Sequence, residues 1–151
     1  MVKKLGSKIK SNYSPDILYL TANKKINSRF YAVIEGKASK SSKDFSNPIS
    51  GSIIMEEMSV NNAYDFHLVP QFVNSGTATP TQYKVVYNNS KIPQEAIAEF
   101  TFEQCFNYYN WQGAVRVPAC LQCADKLSKL LSLHIQQDIK PSELQNSYYF
   151  L

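Results

Sequence analysis

The rhythm of hydrophobic and polar positions changes once along this chain. Before about residue 90 the apolar residues come in short runs of strand length, and after Pro93 they recur at helical spacing. The runs are 16–22 (DILYLTA), 29–34 (RFYAVI), 51–60 (GSIIMEEMSV), 64–69 (YDFHLV) and 81–87 (TQYKVVY), rich in β-branched and aromatic residues, and each predicts a β-strand. The last alternates, with Tyr83, Val85 and Tyr87 on one face and Gln82, Lys84 and Val86 on the other. The stretch 36–50 (GKASKSSKDFSNPIS) predicts an exposed loop, an insertion and not a domain boundary. A helix is predicted from Pro93 to about Tyr109, with Ile97, Phe100, Cys105 and Tyr108 on its apolar side and Pro93 in the first turn. Pro118 opens a second, whose stripe is Cys120, Ala124, Leu127, Leu131, His134 and Ile135. Strands followed by two helices make an α/β or α+β layered sheet, and no internal repeat interrupts that order.

Composition fits this picture. At 151 residues, with 44% hydrophobic positions, five glycines and ten tyrosines, the chain is globular in type and about the size of one domain. The net charge of +4 is modest, yet ten of the sixteen Lys and Arg residues lie in the first 44 positions, against only Asp16, Glu35 and Asp44. That asymmetry fits either a polyanionic partner or a solvated lysine-rich surface. Residues 1–16 contain no apolar core of a signal peptide, and no run reaches membrane-spanning length, so the expectation is an intracellular protein, cytoplasmic or nuclear, with no membrane partner.

Candidate chemistry is sparse at first sight. Cys105, Cys120 and Cys123 are an odd number without a secretory signal, which predicts reduced thiols. Cys120-Leu-Gln-Cys123 matches C-x-x-C but has no second such pair or His pair beside it, so buried structural thiols are the expectation and zinc is not. His67 and His134 have no Cys, Ser or second His at catalytic or ligand spacing, and read as packed or surface imidazoles. A glycine-rich phosphate loop and a nucleophile elbow are both missing from the sequence.

The order of segments carries more information. A family pattern V-Q-K-R-I-N-T-R-L-F is matched by Ala22-Asn-Lys-Lys-Ile-Asn-Ser-Arg-Phe-Tyr31, P-G-T-V-V-D by Ile49-Ser-Gly-Ser-Ile-Ile54, and Y-D-F-F-L-V-S by Tyr64-Asp-Phe-His-Leu-Val-Pro70. Q-G-T-x-x-P-T-H-Y-x-V is matched by Ser75-Gly-Thr-Ala-Thr-Pro-Thr-Gln-Tyr-Lys-Val85. L-C-x-x-Y-x-N-W-P-G-T-I-R-V-P-A-P is matched by Gln104-Cys-Phe-Asn-Tyr-Tyr-Asn-Trp-Gln-Gly-Ala-Val-Arg-Val-Pro-Ala-Cys120, and an aromatic-Leu terminus by Tyr149-Phe-Leu151. Collinear over these six segments, the chain resembles the C-terminal half of the PIWI domain of Argonaute/PIWI proteins, especially the PIWI clade. On that resemblance residues 1–15 form a basic N-terminal segment and 16–151 a partial PIWI domain. The implied fold is α/β and RNase H-like, a mixed sheet flanked by helices.

The resemblance implies roles residue by residue. Lys24, Lys25 and Arg29 match positions that contact guide phosphates, and Arg116 matches the Arg of R-V-P. Gln71 stands where many relatives have a guide-contacting His, and Gln122 where many have Tyr; Gln82 replaces the His of P-T-H-Y. The terminal carboxylate of Leu151 is expected to help coordinate a cation at the guide's 5′ phosphate. Family members that cleave RNA use three upstream acidic residues and a fourth, Asp or His, on the helix after V-P-A-P. That position is Asp125, implied as both catalytic and metal-binding. Hard oxygen ligands are needed to hold two Mg²⁺ ions about 4 Å apart. The other three acidic residues would precede residue 16, so slicer endonuclease activity and its Mg cofactor are expected only in a complete domain. Guide RNA and complementary target RNA are the implied partners, in RNA silencing. The alternative expectation is a non-catalytic truncated module acting through protein partners of the PIWI surface.

Overall fold

The computed structural model describes residues 14–33, 45–56 and 64–135. Its main sheet has four strands, β1 (Leu18–Asn23), β4 (Ser52–Glu56), β5 (Asp65–Val69) and β6 (Thr81–Asn88), in the order β1-β6-β5-β4. All three pairings are antiparallel, so the expected mixed sheet is represented among the described residues by antiparallel pairs alone. A separate two-residue ladder joins β2 (Ala32–Val33) to β3 (Phe45–Ser46). Helix α1 (Gln94–Glu103) runs into a 3₁₀ turn (Gln104–Phe106), and α2 (Ala119–Leu130) ends in a π turn (Leu131–Ile135).

All five residues of β5 are buried, so it lacks the alternation of a half-buried strand: one face carries the core, and on the other His67 meets the Phe30 ring with centroids 5.2 Å apart. Tyr64, Phe66 and Leu68 join Tyr83 and Val85 of β6 and pack against Ile97, Ala98 and Cys105. Register places Phe66 opposite both Tyr83 and Met55, and the Phe66 and Tyr83 rings stack with centroids 5.1 Å apart. A fully buried side chain of this size stabilises the fold by roughly 1.5–3 kcal/mol. Gly51, at φ 84°, turns the chain into β4 where a Cβ would stand 3.0 Å from the Phe102 ring of α1.

Several expectations need correction. The strand predicted over 29–34 is only Ala32–Val33 among the described residues, because Arg29 folds back to donate to the carbonyls of Ile26 (2.8 Å) and Ser28 (2.7 Å). The predicted loop 36–50 includes β3, and residues 34–44 lie outside the described residues, as do 57–60 of the strand predicted over 51–60. Tyr87 is exposed, unlike Val85: the β1–β6 register slips between Tyr19 and Leu20, leaving Val86 unmatched and Tyr87 opposite exposed Tyr19. On α1, Phe100 points to solvent while Ile97, Ala98 and Thr101 are buried. The predicted α2 stripe holds at Leu127 and Leu131 but not at Cys120 and Ala124, which are exposed, while Ala119, Cys123 and Leu130 are covered instead; the side chains of His134 and Ile135 lie outside the described residues. Of the three thiols expected to be buried, only Cys105 is.

Candidate nucleic-acid interface

Segment 114–117, just ahead of α2, is pinned from three sides. Gln71 donates its side-chain amide to the Ala114 carbonyl (2.7 Å), the Val115 N–H donates to the Cys105 backbone carbonyl (2.8 Å), and the Thr81 hydroxyl donates to the Arg116 carbonyl (3.4 Å). Arg116 in turn donates from Nη2 to the backbone carbonyl of Lys24 (2.5 Å), tying the chain that leaves β1 to the approach of α2 across 92 positions. Its Nε–H is buried without a hydrogen-bond partner. Lys24 then forms an ion pair with Asp125 on the second turn of α2, with 38% and 41% of the two side chains exposed.

Between these elements lies a groove of about 340 Å³ lined by Lys24, Lys25, Arg116, Gln122, Asp125, Lys126 and Lys129, with Val117 at its base. Five of these side chains are cations and one is a carboxylate. The cost of crowding is visible on Lys24, whose ammonium pKa is lowered from its ordinary value first by desolvation and then by the charges of Lys129, Arg116 and Lys25. Three neighbouring cations thus add to desolvation in disfavouring the charged ammonium, beside the single carboxylate of Asp125.

Five of the residues singled out from the sequence, Lys24, Lys25, Arg116, Gln122 and Asp125, therefore meet in one groove. Gln71 does not line it. It faces a second, smaller cavity of about 190 Å³ that also reaches Arg116, and its amide N–H₂ holds Ala114. Arg29 is exposed and spends one guanidinium nitrogen on its own loop, outside the groove lining. Leu151 lies outside the described residues. Two groove cations escaped sequence reasoning, Lys126 and Lys129. Gln122, Asp125, Lys126 and Lys129 fall at i, i+3, i+4 and i+7 of α2, a polar face that helical spacing alone could have revealed.

The described residues do not fit a two-metal centre. Their single groove carboxylate is already paired with an ammonium and ringed by four further cations, and among the described residues no three His, Cys, Asp or Glu side chains cluster where they could hold a metal ion. The donor set is that of an anion site. Among the described residues, no helix is long and apolar enough to cross a membrane.

An antiparallel sheet accompanied by helices, with a cationic groove where a strand exit meets a helix start, defines an α/β domain. Comparison with known proteins places it: the Piwi domain family model matches residues 1–136, and the chain belongs to that family. It is 39% identical over 84% of its length to Piwi-like protein 1 of Danio rerio, covering 14% of that protein. The crystal structure of Drosophila Piwi superposes with a TM-score of 0.73 at 31% identity, over 99% of this chain and 20% of that one, so the fold is the RNase H-like fold of PIWI domains. Kluyveromyces polysporus Argonaute with a guide RNA shares the fold at a TM-score of 0.66 and 20% identity, over 90% of this chain and 17% of that one. The chain spans 14% to 17% of the length of such curated relatives.

Proposed function

We propose that the groove between the end of β1 and α2 binds the phosphate backbone of a guide RNA, as part of an Argonaute/PIWI protein acting in RNA silencing on a complementary target RNA. The observation that carries this reading is the convergence of five cations from two distant segments on one groove, with a single carboxylate among them. The buried, unpartnered Nε–H of Arg116 adds a donor that an anion would satisfy. Support also comes from family membership and from the guide RNA bound by the Kluyveromyces polysporus protein of the same fold. Slicer endonuclease activity is proposed only for a full-length protein that brings further carboxylates to Asp125, since one carboxylate held by Lys24 cannot bind two metal ions.

The test compares two double substitutions of equal charge. Lys126→Ala with Lys129→Ala removes two groove cations, whereas Lys84→Ala with Lys91→Ala removes two exposed cations outside its lining. Single-stranded RNA binding by the first variant should weaken across unrelated sequences, and its salt dependence should flatten by up to about 1.4 in log–log slope, near 0.7 per lost phosphate contact. Equal losses in the two variants would reduce the groove to net charge and refute the reading.

A further inference from the structure

The cationic groove does not end at Arg116. Arg116 also lines the 190 Å³ cavity beside Gln71, and that cavity shares Val73 and Thr77 with a third, of about 530 Å³. The three cavities adjoin in series through these shared lining residues, and the third has a different chemistry. Tyr31, Phe45, Ile49 and Phe72 line it, with Asn47 and Asn74 as polar neighbours and no charged side chain among the described residues. The aromatic rings are open to solvent: Tyr31 is 54%, Phe45 52% and Phe72 57% exposed.

This third cavity is held in shape. Asn47 donates through Nδ2 to the carbonyls of Val73 and Gly76 (both 2.8 Å), and its Oδ1 accepts from the Ala78 N–H (2.9 Å), so one side chain ties the 72–78 loop to the residue following β3. Tyr31 and Phe45 meet edge to face with centroids 6.4 Å apart. Rings presented on a braced backbone, in a cavity that adjoins the five-cation groove through shared lining residues and has no charged lining among the described residues, suit the flat faces of nucleobases and not the phosphates between them.

We infer that the Tyr31–Phe45–Phe72 cavity is a base-stacking platform for one or two unpaired bases of the same RNA strand whose phosphates lie in the cationic groove. The inference rests on that proposed groove function and adds an element with its own signature. Stacking is sequence-tolerant and releases no counterions, so it contributes affinity without adding to the salt slope.

The experiment measures binding of short single-stranded RNAs carrying 2-aminopurine, and of an abasic ribose-phosphate strand of equal length, to the chain and to its Phe72→Ala and Phe72→Trp variants. Phe72 sits exposed on a loop, so the thermal melt of each variant serves as the check on folding. Phe72→Ala should weaken RNA binding by about 5- to 30-fold, the lower part of the range for one stacked base. The salt slope should stay unchanged, the 2-aminopurine quenching should be lost, and Phe72→Trp should restore both affinity and quenching. The abasic strand should bind chain and variant alike. Unaltered RNA affinity and quenching in a folded Phe72→Ala, whatever else the cavity takes up, would overturn the platform while leaving the groove intact. Equal weakening of RNA and abasic strand would also overturn it, as the effect would not be on bases. Failure of the unmodified chain to bind any strand at low salt would instead remove the groove reading, and the platform with it.

Discussion

Replacing Asp125 by Asn should strengthen RNA binding. The carboxylate is the one negative charge lining a groove of five cations, and it occupies the ammonium of Lys24. Two unit charges about 4 Å apart interact by roughly 1 kcal/mol in water-like surroundings, and more where solvent is partly excluded. Both side chains are about two-fifths exposed, and measured pairs of this kind fall near 0–1 kcal/mol, so the smaller figure applies. Releasing Lys24 and removing the repulsion between Asp125 and an incoming phosphate should together raise affinity about 3- to 10-fold at low salt. The freed ammonium adds a phosphate contact, so the log–log salt slope should steepen by up to about 0.7. Anisotropy titrations from about 50 to 300 mM salt, where slopes of this size are resolved, with a chelator present to remove divalent cations, measure both quantities. Weaker binding, or unchanged binding with an unchanged slope, would refute the placement of Asp125 as a competitor for Lys24.

Three more expectations follow from the fold. Gly51→Ala should cost about 1–3 kcal/mol in a denaturant melt, since it forces a left-handed backbone on an L residue and presses a methyl onto Phe102. Tyr83→Phe should be neutral or stabilising by up to about 1 kcal/mol, because the phenol hydroxyl is buried without a partner and its pKa is driven up mainly by desolvation. Burial pushes the Cys105 thiol up from 9.0 to about 12, so an alkylating reagent at mild pH should label Cys120 and Cys123 in the folded chain and Cys105 only after unfolding. The same shift has a sign for stability: between pH 9 and about 12 the unfolded thiol has released its proton and the folded one has not, so stability should fall as pH rises through that window.

Legibility in the sequence followed physical locality. The alternation of 81–87 marked β6 because each step of a pleated strand reverses the side chain, and Tyr83 and Val85 are indeed core. It failed at Tyr87, where a one-residue slip against β1 moves the ring out, and such a slip depends on the partner strand. Phe100 stands out by hydrophobicity, whereas the packed face runs through Ile97, Ala98 and Thr101 of α1 and Cys105 of the 3₁₀ turn, of which only Ile97 is a large apolar side chain. Motif order brought Lys24, Lys25, Arg116, Gln122 and Asp125 into view together. It did not show that Lys24 and Asp125 pair, nor that Arg29 turns back on its own loop, because both are contacts of side-chain ends. Lys126 and Lys129 needed only the helical wheel.

The way the groove is assembled links binding to folding. Its two walls are 92 positions apart along the chain where Arg116 holds the Lys24 carbonyl, and the Arg116 segment is itself held by Gln71, Cys105 and Thr81. Three of those four hydrogen bonds join positions 35 or more apart, so the cations converge only when β1, β6 and the approach to α2 have docked. Like charges drawn together in this way oppose docking; the pKa of Lys24 is lowered first by desolvation and then by Lys129, Arg116 and Lys25, and Asp125 offsets a part of that repulsion in the free chain. A bound phosphate backbone offsets far more of it, and it binds the folded arrangement without matching the unfolded one. On the proposed function, RNA in that groove would stabilise the fold by mass action, and Asp125 would serve the free state at the expense of the bound one.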